Sequence, residues 1–175
     1  MRLVTFDDGR GPRAGVLRGE RLVDLGGPGV RELLEADRVG EAANAAGEEL
    51  PLDAVRLLPP VPDPQKIVCI GLNYRAHAEE AGQEAPAAPT FFGKYANALA
   101  APGEQVTLPA SSRKVDFEAE VAFVVGRRAA GVPEAAALDH IAGYTLLNDL
   151  SARDRQFATP QWIPGKVFDL SLIHI

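Results

Sequence analysis

The sequence predicts an α+β protein that is rich in β-strands. Short apolar runs bounded by Gly, Pro, Asn or Asp recur along the chain, which is the pattern of strands and turns. Few segments have apolar residues spaced three and four apart, as an amphipathic helix requires. The clearest strand is VDFEAEVAFVV at residues 115–125, where side chains should alternate between two faces. Asp116, Glu118 and Glu120 then share one face.

The composition is that of an ordinary globular protein. Hydrophobic residues make up 46% and charged residues 24% of the 175 residues, with a formal net charge of −6. The acidic balance, and the lack of a Lys/Arg stripe, exclude nucleic acid as the expected partner. No stretch approaches the ~20 apolar residues that a membrane span needs, and the N-terminus lacks the apolar run of a signal peptide. The single cysteine, Cys69, fits a reducing, cytoplasmic location.

The chain is predicted to divide into two domains joined by a short linker. Residues 1–60 contain three short strands, RLVTF, AGVLRG and RLVDL, followed by the helical pattern VRELLEADRVGEAANAAG. The segment LLPPVPDPQ then places an extended, Pro-rich linker at residues 61–65, because proline fixes φ and lacks an N–H donor. Residues 66–175 form the second domain.

The second domain begins with KIVCIGL, whose continuous apolar run predicts a strand covered on both faces. A helix is expected in YRAHAEEAG, capped by Asn73 and ended by Gly82. Strands are then expected in PTFFGK, EQVTLP and VDFEAEVAFVV. A helix that starts near Pro133 precedes the strand GYTLLNDL, and Ser151 is the expected N-cap of the helix SARDRQF.

The first candidate site is a set of three carboxylates. Glu118 and Glu120 are two apart on one strand face, and Asp149 ends a later apolar strand. Ligands that offer only oxygen select hard ions, namely Mg²⁺ or Mn²⁺, with Ca²⁺ as a further candidate. The alternative is a solvated face of an edge strand, with Asp149 opening a turn, and the spacing alone leaves both interpretations open. The sequence has no motif for an organic cofactor.

Two further groups of residues could carry chemistry. His77 and Glu80 would share a face of the predicted helix, where the carboxylate could fix the imidazole tautomer, although such a pair is also common on surfaces. The other group is cationic or polar and could hold an anionic substrate, or could be merely solvated; it comprises Lys94, Arg153, Gln156 and Lys166.

The order of these motifs resembles the fumarylacetoacetate hydrolase family. The segments IGLNYRAHAEE, FFGK, VDFEAEVAFVVG, GYTLLNDLSARDRQ and PGKVFD follow one another between Lys66 and Asp169 in the family's order. The resemblance implies a β-rich α+β core with a mixed, rolled β-sheet, a small N-terminal domain of the bacterial type, and a homodimer. Because the chain ends on the apolar run LSLIHI, we expect a C-terminal truncation, with the residues from about 170 foreign to the natural reading frame.

The resemblance also implies roles for individual residues. The implied metal ligands are Glu118, Glu120 and Asp149; the implied catalytic residues are His77, Glu80 and Lys166; and the implied substrate-binding residues are Lys94, Arg153 and Gln156. The implied ion is Mg²⁺ or Mn²⁺, and the implied substrate is a small anionic oxo acid.

The implied reaction is cleavage of a C–C bond in a 2,4-dioxo acid, such as an acylpyruvate or a fumarylacetoacetate-like compound. It would proceed through a metal-stabilised enolate and a water activated by the His–Glu pair. The alternatives are a metal-dependent decarboxylase or isomerase of an oxo-diacid, or an inactive truncated fragment.

Overall fold

The computed structural model describes residues 1–27, 29–80, 82, 84 and 86–175. In the N-terminal part, the secondary-structure elements are β1 (Arg2–Asp7), β2 (Arg13–Arg18), β3 (Arg21–Gly26), α1 (Val30–Glu35), β4 (Glu49–Pro51) and β5 (Arg56–Leu58). In the C-terminal part they are β6 (Ile67–Gly71), α2 (Arg75–Glu80), β7 (Thr90–Lys94), β8 (Leu99–Ala100), β9 (Val115–Asp116), β10 (Ala119–Val125), β11 (Ile141–Asp149), β12 (Ser151–Ala152), α3 (Arg153–Gln156), α4 (Ile163–Lys166) and β13 (Leu172–His174).

The first 60 residues build an antiparallel sheet with strand order β4-β3-β2-β1-β5. Gly19 has a φ of +63°, which allows the two-residue turn between β2 and β3. The inner faces of these strands form an apolar core that includes Phe6, Val16 and Leu22. The buried Thr5 hydroxyl donates to the Pro60 carbonyl and accepts from the Val30 N–H, so it ties the sheet to α1 and to the end of the domain. The three strands and the helical segment predicted here are present.

The C-terminal part is built on a mixed sheet with strand order β10-β11-β13-β8. Strands β10, β11 and β13 pair antiparallel, whereas β13 and β8 pair parallel. Two smaller ladders, β6–β7 and β9–β12, lie beside it. The core cluster of Ala98, Leu147 and Leu172 packs under the main sheet. The predicted β-rich α+β fold class with a mixed sheet is confirmed.

The acidic stretch does not form the single strand predicted from its alternation. It is broken at Phe117 and Glu118, between β9 and β10. Side-chain acceptors replace the ladder there: the Phe117 N–H donates to Asp116 Oδ1 at 3.0 Å, and the Glu118 N–H donates to Asn148 Oδ1 at 3.1 Å. The break lets β9 pair with β12 while β10 pairs with β11.

The acidic face of β10 is the more covered of its two faces. Glu118 and Glu120 are half-buried, and Ala122 of the same face packs against the core cluster. On the opposite face, the cross-strand pairs Val121–Leu146 and Phe123–Tyr144 are exposed. A solvated edge-strand face, the alternative interpretation of the acidic pattern, does not describe this arrangement.

Four further local predictions are wrong. EQVTLP forms no strand, and the predicted helix after Pro133 is a 3-10 helix, Glu134–His140. Ser151 lies in β12 and donates to the Asp149 carbonyl instead of capping α3. KIVCIGL is covered on one face only, since Val68 and Ile70 are exposed.

Candidate active site

The backbone of two neighbouring strands brings Glu118 and Asp149 together. The Asp149 N–H donates to the Glu118 carbonyl at 2.8 Å, at the point where β11 ends. Asp149 is buried, whereas Glu118 and Glu120 are half-buried. The three carboxylates expected from the sequence therefore lie along one covered edge of the β10–β11 ladder.

Lys166 places a positive charge between two of these carboxylates. Its Nζ donates to Glu118 Oε2 at 2.5 Å and to Asp149 Oδ2 at 3.0 Å. The side chain is 2% exposed, and Nζ lies 5.1 Å from the centre of the Phe92 ring, within the range of a cation–π contact. Burial makes an unpaired ammonium costly, and these two carboxylates supply its partners.

Lys94 approaches the same aspartate from the other side. Its Nζ donates to Asp149 Oδ1 at 2.5 Å, and also contacts the Ser171 hydroxyl and carbonyl. Its side chain is fully buried. Burial lowers the pKa of Lys94, and the charge of Asp149 opposes that shift. Each carboxylate oxygen of Asp149 thus faces one lysine.

Glu118 and Glu120 differ in their electrostatic environment although they are two residues apart. Burial raises the pKa of Glu118, but the hydrogen bonds and charges of Lys166 and Arg153 outweigh it and lower the pKa overall. Burial raises the pKa of Glu120, and the charges of Glu118 and Asp149 raise it further, against a hydrogen bond from Tyr74. Burial and the two neighbouring carboxylates therefore outweigh Tyr74 and the charge of Lys166, which lower the pKa of Glu120.

The donor set matches a hard divalent ion in its chemistry, because all three side chains offer only carboxylate oxygens. Within the described ranges, no three His, Cys, Asp or Glu side chains already surround a common point. The lysine contacts explain this, since Lys166 holds Glu118 and Asp149 around its own ammonium. An ionised carboxylate offers about four lone-pair sites, so an ion bound by these carboxylates would share their oxygens with Lys166.

His77 and Glu80 lie on α2, and both are exposed. No hydrogen bond joins them among the contacts of the described residues, so the predicted pair stays a prediction. The helix buries Ala78. It ends near Gly82, which has a φ of +64° and whose N–H donates to the Glu79 carbonyl, in agreement with the predicted end of the helix.

Tyr74 connects this helix to the carboxylate strand. The Val121 N–H donates to the Tyr74 hydroxyl at 3.1 Å, and the hydroxyl lies close enough to Glu120 to influence its pKa. Tyr74 is not among the site residues that the sequence predicted. Its position directly before the helix that carries His77 was the available signal for a role at the site.

The remaining predicted residues gather around Glu118. The Arg153 guanidinium contacts Asp116, Glu118 and Gln156, and the Gln156 side chain is buried. The structure thus brings together seven of the nine predicted site residues in one charged cluster, namely Glu118, Glu120, Asp149, Lys94, Lys166, Arg153 and Gln156.

An aromatic wall stands beside this cluster. Phe92 and Trp162 pack edge to face, with ring centres 5.7 Å apart. Gly71 lets Trp162 approach the end of β6, because a Cβ at this position would fall 2.0 Å from the indole ring. Phe92 in turn lies under the Lys166 ammonium, so the wall helps to hold that charge in place.

Two protein-family models match the chain. The model described as fumarylacetoacetate (FAA) hydrolase C-terminal matches residues 66–173, and the model described as Rv2993c-like, N-terminal matches residues 1–60. The chain belongs to the fumarylacetoacetate hydrolase family. The resemblance inferred from the motif order is confirmed.

Members of the fumarylacetoacetate hydrolase family with different activities resemble the chain. The mitochondrial oxaloacetate tautomerase fahd2 of Xenopus laevis is 37% identical, over 97% of this chain and 58% of that protein. The structure of 5-carboxymethyl-2-hydroxymuconate delta-isomerase from Mycobacterium smegmatis has a TM-score of 0.79 and 34% identity, over 100% of this chain and 64% of that one. The structure of maleylpyruvate hydrolase from Sphingobium sp. SYK-6, in complex with manganese (II) ion and pyruvate, has a TM-score of 0.77 and 30% identity, over 100% of this chain and 65% of that one.

The chain therefore spans less than two thirds of the length of each of these relatives. The family assignment agrees with the physical character of the site, which is small, charged and rich in carboxylates. No helix in the described part of the chain has the length and apolar character needed to span a membrane.

Replacement of Gly165 by alanine should destabilise the domain and disturb Lys166. A Cβ here would lie 2.5 Å from the Gln156 nitrogen and 2.6 Å from the Ala152 carbonyl oxygen, so backbone must shift. Helix propensity alone would favour alanine. We expect overpacking to lower the free energy of unfolding by about 1–3 kcal/mol, measured by urea denaturation. Gly143→Ala is the control, since its Cβ would meet nothing within 4 Å. Equal stability of both variants would contradict the contact.

Cys69 should alkylate slowly in the native protein. Burial, together with the charge of Asp149, raises the pKa of this thiol to about 12. Because the thiolate is the nucleophile, roughly 10⁻⁴ of the thiol is reactive at pH 8. The rate of reaction with iodoacetamide, followed by mass spectrometry, should still rise about tenfold per pH unit through pH 10. In guanidinium chloride the rate should level off near pH 9. A native profile that also levels off near pH 9 would refute the raised pKa.

Proposed function

We propose that this protein contributes the site of a divalent-metal-dependent enzyme that enolises a small 2-oxo dicarboxylic acid. The observation that carries the proposal is the covered cluster in which Lys166 lies between Glu118 and Asp149, with the carboxylate of Glu120 beside them. Buried lysines can bind and stabilise an anionic oxo acid, and the carboxylates can bind its metal ion. The similarity to an oxaloacetate tautomerase supports keto–enol interconversion as the reaction.

The ion would be held by Glu118, Glu120 and Asp149. Mg²⁺ and Mn²⁺ are the proposed ions, and Ca²⁺ suits the same ligands. When bound, the ion supplies Lewis-acid polarisation of the substrate oxo group. Burial is the main cause that raises the pKa of Glu120, and the charges of Glu118 and Asp149 add to it; this closeness of the three carboxylates supports the assignment.

The cationic and amide groups would stabilise negative charge that develops on the substrate. Lys166 is the proposed donor to the enolate oxygen, and Gln156 is a second donor that lies close to Glu118 through Arg153. Lys94 is enclosed and donates to Asp149, so we propose that it acts by holding that carboxylate in place.

His77 is the proposed group that moves the proton. It would take a proton from the carbon next to the oxo group, and the C–H electron pair would form the C=C bond as the oxo oxygen becomes the enolate oxygen. Return of the proton to that oxygen gives the enol, and the reverse sequence gives the ketone. Glu80 would orient the imidazole, and Tyr74 supports this role for the helix because it attaches α2 to β10 beside Glu120.

A second candidate is hydrolytic C–C cleavage of a 2,4-dioxo acid. The observation that favours it is the exposure of His77 and Glu80, since a hydrolase must activate a solvent water. The similarity to maleylpyruvate hydrolase over the whole chain also supports it. Decarboxylation shares the enolate and stays an alternative, as does the homodimer expected from the family.

Loss of the proposed ion site and of the proposed donor should each slow enolisation. We expect Lys166→Met to slow the Mn²⁺-dependent tautomerisation of oxaloacetate, followed by ultraviolet absorbance, by about 10²–10³-fold. Glu120→Gln should lower the activity and weaken Mn²⁺ binding measured by calorimetry. Glu134→Gln, an exposed substitution on the 3-10 helix, should match the wild type. Unchanged Mn²⁺ affinity in Glu120→Gln would contradict the ligand assignment.

Replacement of His77 tests its proposed role as the proton acceptor in both candidate reactions. With His77→Asn, hydrolysis of an acylpyruvate and tautomerisation of oxaloacetate should each fall by about 10²–10⁴-fold, because the proposed general base is lost. Mn²⁺ affinity should be unchanged, since His77 is not a proposed ligand. Arg75→Lys is the control on the same exposed helix. If the variant turns over both substrates at the wild-type rate while Glu118→Gln turns over neither, His77 is not the proton acceptor.

A further inference from the structure

The Arg153 side chain is committed to contacts within the protein. Its Nε and one terminal nitrogen both donate to Asp116 Oδ2, at 3.0 and 2.8 Å. The other terminal nitrogen donates to Glu118 Oε1 at 2.6 Å and to Gln156 Oε1 at 2.9 Å. Because a guanidinium has five N–H donors, four of them are engaged in these bonds and little capacity remains for a substrate.

Asp116 is itself held by the backbone around it. Its Oδ1 accepts the N–H of Phe117 at 3.0 Å, at the break between β9 and β10. It pairs with Ser151 across the β9–β12 ladder, and the Arg153 N–H donates to the Lys114 carbonyl just beyond. Asp116 in β9 and Arg153 at the start of α3 are therefore tied to neighbouring stretches of backbone.

The exposed fraction of the three side chains falls from Asp116 through Arg153 to Glu118. Asp116 is 48% exposed, Arg153 20% and Glu118 15%. Arg153 holds Oε1 of Glu118, while Lys166 holds Oε2. One cation therefore contacts each oxygen of Glu118, which fixes the rotation of the carboxylate about its Cγ–Cδ bond. Lys166, which contacts Oε2, also contacts Asp149.

We infer that Arg153 is a positioning residue for Glu118, and that Asp116 orients Arg153 for this role. The inference rests on the proposed function, because it takes Glu118 as a ligand of the divalent ion. It differs from the substrate contact that the family resemblance implies for Arg153. Arginine suits the task because its rigid planar fork fixes the directions of both contacts, whereas a lysine ammonium is a point charge on a flexible stem.

The test is Mn²⁺ affinity, measured from the electron paramagnetic resonance signal of free Mn²⁺. Arg153→Lys keeps the positive charge but loses the planar guanidinium. Asp116→Asn keeps the shape of the side chain but loses the negative charge that pairs with Arg153. Each should raise the Kd for Mn²⁺ about 10–100-fold, as is typical when the support of a metal ligand is lost. Arg155→Lys is the matched control, because Arg155 donates to the Ser111 carbonyl and lies outside the cluster.

A second measurement is the affinity of the Mn²⁺-loaded chain for oxalate. Weaker oxalate binding in Arg153→Lys with unchanged Mn²⁺ affinity would overturn the inference in favour of a substrate contact. Tighter Mn²⁺ binding in Arg153→Lys would also overturn it, since Arg153 would then compete with the ion. A lower melting temperature, with the affinities for Mn²⁺ and for oxalate unchanged, would also overturn the inference, because Arg153 would then contribute only to stability.

A metal-free experiment keeps the inference separate from the proposed function. Absence of Mn²⁺ binding in the wild type would refute the proposed ion site. The Arg153–Glu118 contact is then judged by a double-mutant cycle of Arg153→Lys and Glu118→Gln in urea unfolding. Non-additive changes in the free energy of unfolding are expected for residues in contact, and additive changes would overturn the inference.

Discussion

The rest of the site depends on the contacts that the buried Lys166 ammonium makes with Glu118 and Asp149. Breaking a buried ion pair by removal of one partner typically costs about 3–5 kcal/mol, because the other charge is left uncompensated. Lys166 is carried by α4, and the carboxylates belong to the β10–β11 edge, so the contact joins a short helix to the sheet. Phe92 supports the ammonium from its other side and links the pair to β7.

The sequence predicts the components of this site better than their contacts. The order of the motifs was enough to identify the family and the β-rich fold, and the alternation in 119–125 correctly placed Glu120 on one face of a strand. It could not show that Lys94 and Lys166 pair with Asp149, because those residues are brought together by long-range packing. The spacing of residues along one strand or helix carries no information on contacts between three separate elements.

Two of the wrong local predictions have a common physical origin. The acidic stretch was predicted as one strand because alternation assumes that the backbone pairs throughout, whereas the N–H groups of Phe117 and Glu118 are satisfied by side-chain oxygens. Ser151 has the sequence context of a helix cap, yet its hydroxyl donates to the Asp149 carbonyl inside the sheet. In both cases a local polar side chain offered the backbone an alternative partner that hydrophobic periodicity does not report.

The break also gives the three acids of the stretch different environments. Asp116 pairs with Arg153 near the surface, and Glu118 is compensated by Arg153 and Lys166. Glu120 has no cation among its described hydrogen-bond and ion-pair partners, and burial together with the charges of Glu118 and Asp149 raises its pKa. The lysine and arginine contacts fall on Glu118 instead, so the two half-buried glutamates differ in their partners and in the direction of their pKa shifts.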